Sequence, residues 1–505
     1  MTSNPIRKRR PIAYPRNGRL SLSQLSVIVM ICILFCLTAA KGQQGPAATP
    51  PRARTTNEAV PKTWIDKETG HRITRVTDEP GSSALYFNFD AYTPDGRQMV
   101  YSSPAGIHML DLVHDQTRLL VPNATNAAPG QPRAAQRVLA VGRKTGAVYF
   151  SRMSPEGLSE VYSADVASGA VRKLVTLPPR ATVVTINADE TLASGTYEEA
   201  GHTAEDYGNN RGTPGSSGTA AAPTNSIPPG SLVQPNGKGQ MMARRLAAHI
   251  PMVLFVIDLQ TGKLKELLHS TDWINHMLFS PVDPTLLMYC HEGPWQRVDR
   301  IWLIRTDGTQ NTLVHKRTMF MEISGHEFWS RDGKSIWYDW QLPKGRNYFL
   351  AGYDIATHHR VAYSLTPNQW SIHFNGSSDP AMFAGDGGDS GQVTQAPDGT
   401  WIELYHTDTS GRRDGVNSPD LVQPGILDSE HLVNMANHNY RLEPNERFSP
   451  DDKRIFFTSN MFGPTYVFSV EVDKYPTSAT DVFSTPELAQ RFSPKPPPTP
   501  YDEQW

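Results

Sequence analysis

The sequence predicts an all-β protein, a seven-bladed β-propeller of four-stranded antiparallel blades, with a disordered N-terminal leader and one long loop insertion. Three observations predict it. A phrase made of a hydrophobic residue, a Ser-Pro-Asp-Gly type turn and a strand recurs seven times along the 505 residues. Its starts lie mostly about 45 to 50 residues apart, the period of a four-stranded blade. No long segment carries a convincing helical period.

The clearest copies are Tyr92-Thr93-Pro94-Asp95-Gly96, Trp329-Ser330-Arg331-Asp332-Gly333 and Phe448-Ser449-Pro450-Asp451-Asp452. Looser ones begin at Ile186, Phe279 and Gly376, and the weakest keeps only the turn Gly142-Arg143-Lys144-Thr145-Gly146 and the strand after it. A second phrase, a strand entering a tight turn, accompanies them, as in Leu254-Phe255-Val256-Ile257-Asp258-Leu259 before Gln260-Thr261-Gly262-Lys263. The repeat assigns residues 61–475 to one ring.

The rest of the chain is divided by composition. Residues 1–40 hold Arg7, Lys8, Arg9, Arg10, Arg16 and Arg19 but no acid, and run into the apolar stretch Leu25–Leu37, broken only by Ser26. Positive leader, apolar centre and the small residues Thr38-Ala39-Ala40 read as a secretory signal, with an uncleaved anchor as the alternative. Either way the ring is expected in the periplasm or outside the cell. Residues 41–60 read as a disordered linker, 201–240 as a Gly- and Pro-rich loop inserted in the third blade, and 476–505 as a Pro-rich tail. That tail leaves no room for a C-terminal hydrolase domain, and Gly388-Asp389-Ser390-Gly391-Gln392 lacks the spacing of a nucleophile elbow. Formal charge is −2, and removing the basic leader makes the remainder more acidic still, which argues against nucleic acid as a partner. Cys32 and Cys36 fall in the leader, so Cys290 stands alone and no disulfide framework is expected. Its place in a strand reads as a small buried residue.

Candidate chemistry comes from superposing the repeats. Three residues before the hydrophobic position, the blades give Phe89, an unclear residue, Val183, His276, His326, His373 and Asn445. This offset lies in the innermost strand, so consecutive blades turn imidazole and amide groups toward one channel mouth. A single histidine in a strand is more often a satisfied core residue, whereas a convergent set reads as a site. Glu443 is expected on the same side by strand alternation. Imidazoles with a carboxylate and an amide oxygen suit a borderline divalent cation such as Mn or Zn, and one imidazole off the metal suits a general base. His291 and Trp295 form either a rim over the mouth or a hairpin with a packing plug. Arg244 and Arg245 are either anion-gripping or a solvated basic pair.

The phrases Asn275-His276, Cys290-His291-Glu292-Gly293-Pro294-Trp295, Gly325-His326-Glu327-Phe328-Trp329, Phe383-Ala384-Gly385-Asp386-Gly387-Gly388 and Phe457-Thr458-Ser459-Asn460 resemble those of oligogalacturonate lyases. The resemblance covers roughly Trp64 to Val472. It implies a seven-bladed propeller that cleaves short pectin fragments by β-elimination, using a histidine base, an arginine and a Mn ion beside the substrate carboxylate. His276 matches the base and His326 a metal ligand. Glu443 and Asn445 stand where the family has a histidine pair, and His373 completes the implied ligand set. The arginine position falls near His249, with Arg244 and Arg245 just upstream, so Arg245 is the expected catalytic arginine. Arg244, His291 and Trp295 are expected to bind substrate, a uronic-acid oligosaccharide. A non-catalytic TolB-like propeller binding a protein or glycan is the alternative, and a lyase or hydrolase for another uronate or glycoside is a further one.

Overall fold

Each Ser-Pro-Asp phrase folds as a side-chain-locked turn. Thr93 Oγ1 donates to Asp95 Oδ1 at 2.6 Å while the Arg97 amide donates to the same carboxylate at 3.1 Å. Ser330 with Asp332, and Ser449 with Asp451, repeat the lock at 2.7 and 2.6 Å. Gly96 and Gly333 follow at φ +68° and +67°, where a residue without Cβ is unstrained. The turns return an inner strand into the next, and most strands then bury both faces, as Gly106–Leu110 and Met252–Ile257 do.

The computed structural model describes residues 59–123, 136–199, 238–388, 398–408, 421–478 and 480–492. The leader, Cys32, Cys36, most of the 201–240 insertion, Arg412, Arg413 and the segment around Ser390 lie outside the described residues. Seven blades result, each meandering outward from the axis. Their inner strands begin at Ser83, Arg137, Thr182, Trp273, Ile323, Phe374 and Arg447.

The last blade is closed by the other end of the chain. Arg447–Phe448, Arg454–Ser459 and Tyr466–Lys474 take His71–Arg75 as their fourth strand, with Ile73 opposite Val470 and Thr74 opposite Ser469. Thr63–Asp66 adds outside it, and Val482–Phe483 pairs parallel to that strand. Trp64, with no exposed surface, meets Phe462 and Phe468 edge-on and donates to Thr485 Oγ1 at 3.1 Å. Asp66 Oδ2 accepts from both the amide and the hydroxyl of Thr485, which opens the helix Thr485–Phe492. The reading of 476–505 as only a tail is thereby corrected, because Leu488 and Ala489 of this helix are buried in the closing core. A second helix, Lys238–Ala248, stands at the end of the insertion and turns Met242 and Arg245 inward. Both helices are short, so their periodicity is hard to see against long β runs.

The fifth and sixth blades share an edge. The 13-residue strand Val422–Asn434 pairs antiparallel with Trp401–Asp408 over its later part, while Val422–Gly425 lies parallel to Arg360–Tyr363. One long strand therefore covers the outer edge of the preceding blade.

At the mouth the inner strands are not regular. The fourth and fifth blades each slip register, between Asn275 and Leu278 and between Gly325 and Phe328. His276 and His326 sit in these bulges at φ +47°, and Asn445 occupies the same offset at +53°. For residues with a Cβ such conformations cost of order 1–3 kcal/mol and cluster at functional positions.

Ring closure makes a quantitative expectation. Trp64→Ala removes a fully buried indole at the junction of the two chain ends and is expected to cost about 3–5 kcal/mol. Thermal or denaturant unfolding of the two proteins checks this. A change within experimental error would show that the closing strands do not limit stability.

Candidate active site

The fourth and fifth blades bury a charge cluster beneath the mouth. Arg300, 1% exposed, points its Nε at Glu327 Oε2 (2.9 Å) and its Nη1 at Glu292 Oε1 (3.2 Å). Its Nη2 reaches Glu327 Oε1 at 3.3 Å and lies 3.4 Å from His276 Nδ1. His276 is flanked by both carboxylates, with Nε2 3.5 Å from Glu292 Oε2 and Nδ1 3.7 Å from Glu327 Oε1. Two buried carboxylates against one guanidinium leave the cluster one positive charge short. The two carboxylates beside His276 would stabilise the imidazolium that a base becomes after it acts. Burial alone would push the Glu327 carboxyl up, but Arg300 and then His276 outweigh it and hold its pKa below the ordinary value. Cys290 contributes its sulfur to the same cluster: its Sγ, a His276 ring nitrogen and a Glu292 oxygen lie within 4.8 Å of one another. Burial raises the pKa of this thiol and keeps it neutral.

The bulges explain how so many groups reach one place. In a regular strand, Asn275 and His276 would face opposite sides, as would His326 and Glu327. Instead Asn275 Nδ2 and His276 Nε2 both approach Glu292 Oε2 at 3.5 Å. Glu327 reaches Arg300 while its neighbour His326 turns to the mouth.

His326 and His373 form a second group. Their rings meet edge to face at 4.6 Å. His326 Nδ1 is 2.9 Å from Asp339 Oδ1, and His373 Nδ1 is 2.6 Å from Asp386 Oδ2. Asp386 is pinned by the Ile372 and His373 amides at 3.1 and 2.9 Å. Carboxylate on Nδ1 and Nε2 turned inward is the arrangement in which histidines hold a metal. Burial lowers the His373 pKa, but Asp386, then Glu443 and Asp339, more than offset it, and the net shift is upward. Glu443 lies partly exposed in an irregular stretch rather than on a strand, so its orientation comes from that loop and not from alternation. The donor types of His326, His373 and Glu443 suit Mn or another borderline divalent ion, whereas among the described residues the group whose ligand atoms converge within 4.8 Å is His276, Cys290 and Glu292.

Tyr86, in the first blade, links the two groups. Its hydroxyl is 3.2 Å from His373 Nε2 and its ring edges against both His276 (5.8 Å) and His373 (5.4 Å). Burial first, then the Glu443 charge, raises the Tyr86 pKa, so the phenol stays protonated and is the group that a cation on His373 Nε2 would displace. Phe87 packs on His373 at 4.8 Å. The Asn445 amide accepts from the Phe87 amide at 3.2 Å and donates to the Glu443 carbonyl at 3.0 Å. Asn445 thus positions this loop, while Glu443 supplies the charge.

The remaining expected residues divide. Trp295, in the short 3-10 turn Trp295–Arg297, donates to Glu292 Oε1 at 2.9 Å and meets the His326 ring edge-on at 5.1 Å, so it borders the site. His291 alternates to the other face of its strand, where it meets Asp272, Tyr289 and Trp302. The substrate-binding expectation is corrected accordingly, since Glu292 and not His291 faces the mouth. Arg245 is buried against Glu198 (3.1 Å) and lies 4.2 Å over Trp273, on the same inner strand as His276, while Arg244 is exposed. The arginine touching His276 is Arg300, which sequence reasoning missed along with Tyr86, Glu292 and Glu327. A cavity of about 380 Å³ runs from Phe87 and Phe328, which adjoin the site, to the repeat-turn residues Thr93, Pro94, Arg331 and Pro450.

A propeller with imidazoles gathered at one mouth is thus the class of protein that fold and site define. Residues 247–475 match the model of the family "Oligogalacturonate lyase", a span that contains every histidine of the cluster but not Tyr86. Curated relatives are an oligogalacturonide lyase of Pectobacterium atrosepticum and an oligogalacturonate lyase of Dickeya dadantii. Each is 29% identical over 43% of this chain and 55% of its own length. The chain therefore spans about half the length of the curated relatives it matches. Among solved structures, an oligogalacturonate lyase in complex with manganese superposes with a TM-score of 0.58 at 22% identity, covering 81% of this chain and 96% of that one. An oligogalacturonate lyase from Vibrio parahaemolyticus gives 0.59 at 18% over the same shares. These structures carry the same propeller fold, and over its later blades the chain is oligogalacturonate lyase-like.

The buried triad sets an expectation with a sign. In the native protein Glu327, with its pKa lowered, adds stability above its unfolded pKa and loses that contribution as pH falls. Arg300→Met leaves Glu292 and Glu327 buried without their cation, at a cost of about 3–5 kcal/mol near neutrality. Their pKa values then rise above the unfolded value, so the variant should lose stability as pH rises from about 5 to 8. Denaturant unfolding at several pH values checks both; a variant whose stability climbs with pH would refute the account.

Proposed function

We propose that this protein is a lyase cleaving uronate oligosaccharides by metal-assisted β-elimination, with His276 as the general base. One observation carries the reading. Of three inner-strand histidines at one offset, His326 and His373 have Nδ1 committed to buried carboxylates and side chains 9% and 0% exposed, whereas the His276 side chain is 21% exposed. Two rings are thus arranged as ligands and the third is open to substrate.

The chemistry follows from the substrate. The C5 proton of a uronate is acidic because its conjugate base delocalises into the C6 carboxylate, and the charge already on that carboxylate opposes its removal. A divalent ion held by His326, His373 and Glu443 would neutralise that charge. The manganese in the similar solved lyase supports this choice. His276 would take the C5 proton, with Glu292 and Glu327 stabilising the imidazolium and Arg300 keeping the two glutamates in place. Electrons from the C5–H bond then form the C4–C5 double bond as the C4 glycosidic oxygen leaves and takes up a proton in place of the one His276 removed, so no water is consumed. Arg245, above Trp273 at the same mouth, would hold a neighbouring carboxylate, and Trp295 would bound the ring being cleaved. The names of the curated relatives make oligogalacturonate the first substrate to try. The basic leader and apolar run at 7–37 favour action outside the cytoplasm.

Elimination produces a 4,5-unsaturated uronide that absorbs in the ultraviolet. His276→Ala is expected to lower the rate of its appearance about 10²–10⁴-fold while retaining the native melting transition. His326→Ala and Glu443→Ala should lose metal, read by elemental analysis of purified protein. Full activity in His276→Ala would refute the base assignment.

A further inference from the structure

The connection from the fourth to the fifth blade, residues 314–322, leads directly into the inner strand that carries His326, so it lies at the site end of that strand. It is built with unusual care for a surface turn. Glu322, fully buried, accepts from the Met319 amide (3.0 Å), from both the amide and hydroxyl of Thr318, and from Trp340 Nε1 (2.8 Å). Its other partner is His315 Nε2 at 2.7 Å, a ring also held by the Tyr338 hydroxyl at 2.9 Å. Against the upward push of burial, the His315 bond and these donors bring the Glu322 pKa down to about 2, so the clamp stays ionised. Arg317 ties the same turn to the site, pairing with Asp299 at 3.0 Å and donating to the carbonyl of Gln296, the residue after Trp295.

This clamp holds a large apolar ring in water. Phe320 is 83% exposed and Met319 46% exposed. A phenyl ring that could fold back onto the blade would bury apolar surface, and here the backbone is fixed so that it does not. The sequence separation limits Phe320 to no more than about 20 Å from His326 along an extended strand. Beside it the hairpin of the fifth blade returns, with the Lys344 amide donating to the Met321 carbonyl at 2.7 Å. That hairpin brings Lys344 and Arg346, and the turn itself brings Lys316. Among the described residues none of these three cations has an ion pair, whereas the acids of the turn are committed, Asp299 to Arg317 and Glu322 to His315. Lys344 is partly buried, which disfavours its charged form until an anion arrives. The rim therefore pairs an exposed aromatic face with uncompensated positive charge, on a chain of near-neutral total charge.

The geometry points to a distal saccharide subsite at this rim, in which Phe320 stacks on the apolar face of a pyranose and Lys344 and Arg346 take the carboxylates of uronate units beyond the one being cleaved. It rests on the reading that the mouth takes uronate oligomers, and it makes chain length a determinant of affinity. Aromatic area and charge-paired carboxylates are each modest alone, and their joint effect is about five- to tenfold in Kd.

Calorimetric titration of His276→Ala protein, which leaves bound saccharide intact, tests it with digalacturonate and hexagalacturonate. The hexamer should bind more tightly, and Phe320→Ala or Lys344→Gln/Arg346→Gln should each weaken the hexamer about two- to threefold, and all three together about five- to tenfold, while leaving the dimer unchanged. A methyl-esterified hexamer should keep the Phe320 dependence and lose the Lys344 and Arg346 dependence. Equal affinity for the two lengths, unchanged hexamer binding in the variants, or equal weakening of both lengths would each overturn the subsite. So would a Phe320-dependent dimer in sedimentation, which would make the rim an interface between copies. Phe320→Leu, which keeps the apolar bulk without the ring, guards against a folding defect and should bind the hexamer as weakly as Phe320→Ala. Retention of elimination by His276→Ala would defeat the base assignment, yet the length dependence of affinity would still decide the subsite.

Discussion

The site is organised around a buried guanidinium. Arg300 bridges Glu292 and Glu327, and without it two buried carboxylates would lose the guanidinium that pairs them, at severe cost. Because Glu292 comes from the fourth blade and Glu327 from the fifth, satisfying Arg300 fixes the relative placement of two blades. His276 and His326 ride on those same blades. The distance between a proton acceptor and a metal-suited imidazole is thus set by an ion network, not by loops, and ion networks tolerate little displacement.

The sequence made the ring and the histidine offset legible, because both rest on local chemistry repeated at a fixed period. A turn-locking polar side chain and a residue at positive φ, Gly96 and Gly333 in the clearest copies, recur where an inner strand turns back, so the phrase recurs whether or not the blade carries a site. The offset could then be counted. What could not be counted was the company each histidine keeps. Alternation placed Glu327 on the face opposite His326 and gave no reason to include it, and the bulge at φ +47° reverses that inference. Glu292 lay inside a phrase whose histidine drew the attention, although alternation alone favoured one of the pair facing the mouth and left open which. Tyr86 and Arg300 carry no local signature, since their roles come from blades that meet only in three dimensions. The closing helix Thr485–Phe492 was lost for a different reason: Pro-rich flanks dominated the composition of its surroundings.

The positive-φ residues show how a repeat acquires function. A regular inner strand presents one residue in two to the channel, too sparse for a cluster of reacting groups. A bulge presents two consecutive residues and tilts both, so the fourth and fifth blades each contribute a histidine and a polar neighbour at one level. The strain is accepted at residues whose side chains have buried partners, which is the compensation such conformations require. His373 reaches the same level without positive φ, through Asp386, which binds its ring and two backbone amides at once.

Asp386 can serve that role because its acidic neighbours are silent. Glu446 is fully buried with both oxygens unpartnered, and burial, then Asp386, raises its pKa well above the ordinary carboxylate range. Glu403, nearly as buried, is raised in the same way by burial and Asp398. Burial thus disfavours the charged form of both carboxyls, and Asp386 is the acid hydrogen-bonded to His373. Were Glu446 ionised, its repulsion would fall on Asp386 and weaken its hold on the His373 ring. The arrangement separates two tasks in one wall of the channel. Glu403 lies on the third strand of the sixth blade and Glu446 just before the inner strand of the seventh, and a single hydrogen-bonded carboxylate, Asp386, directs the imidazole.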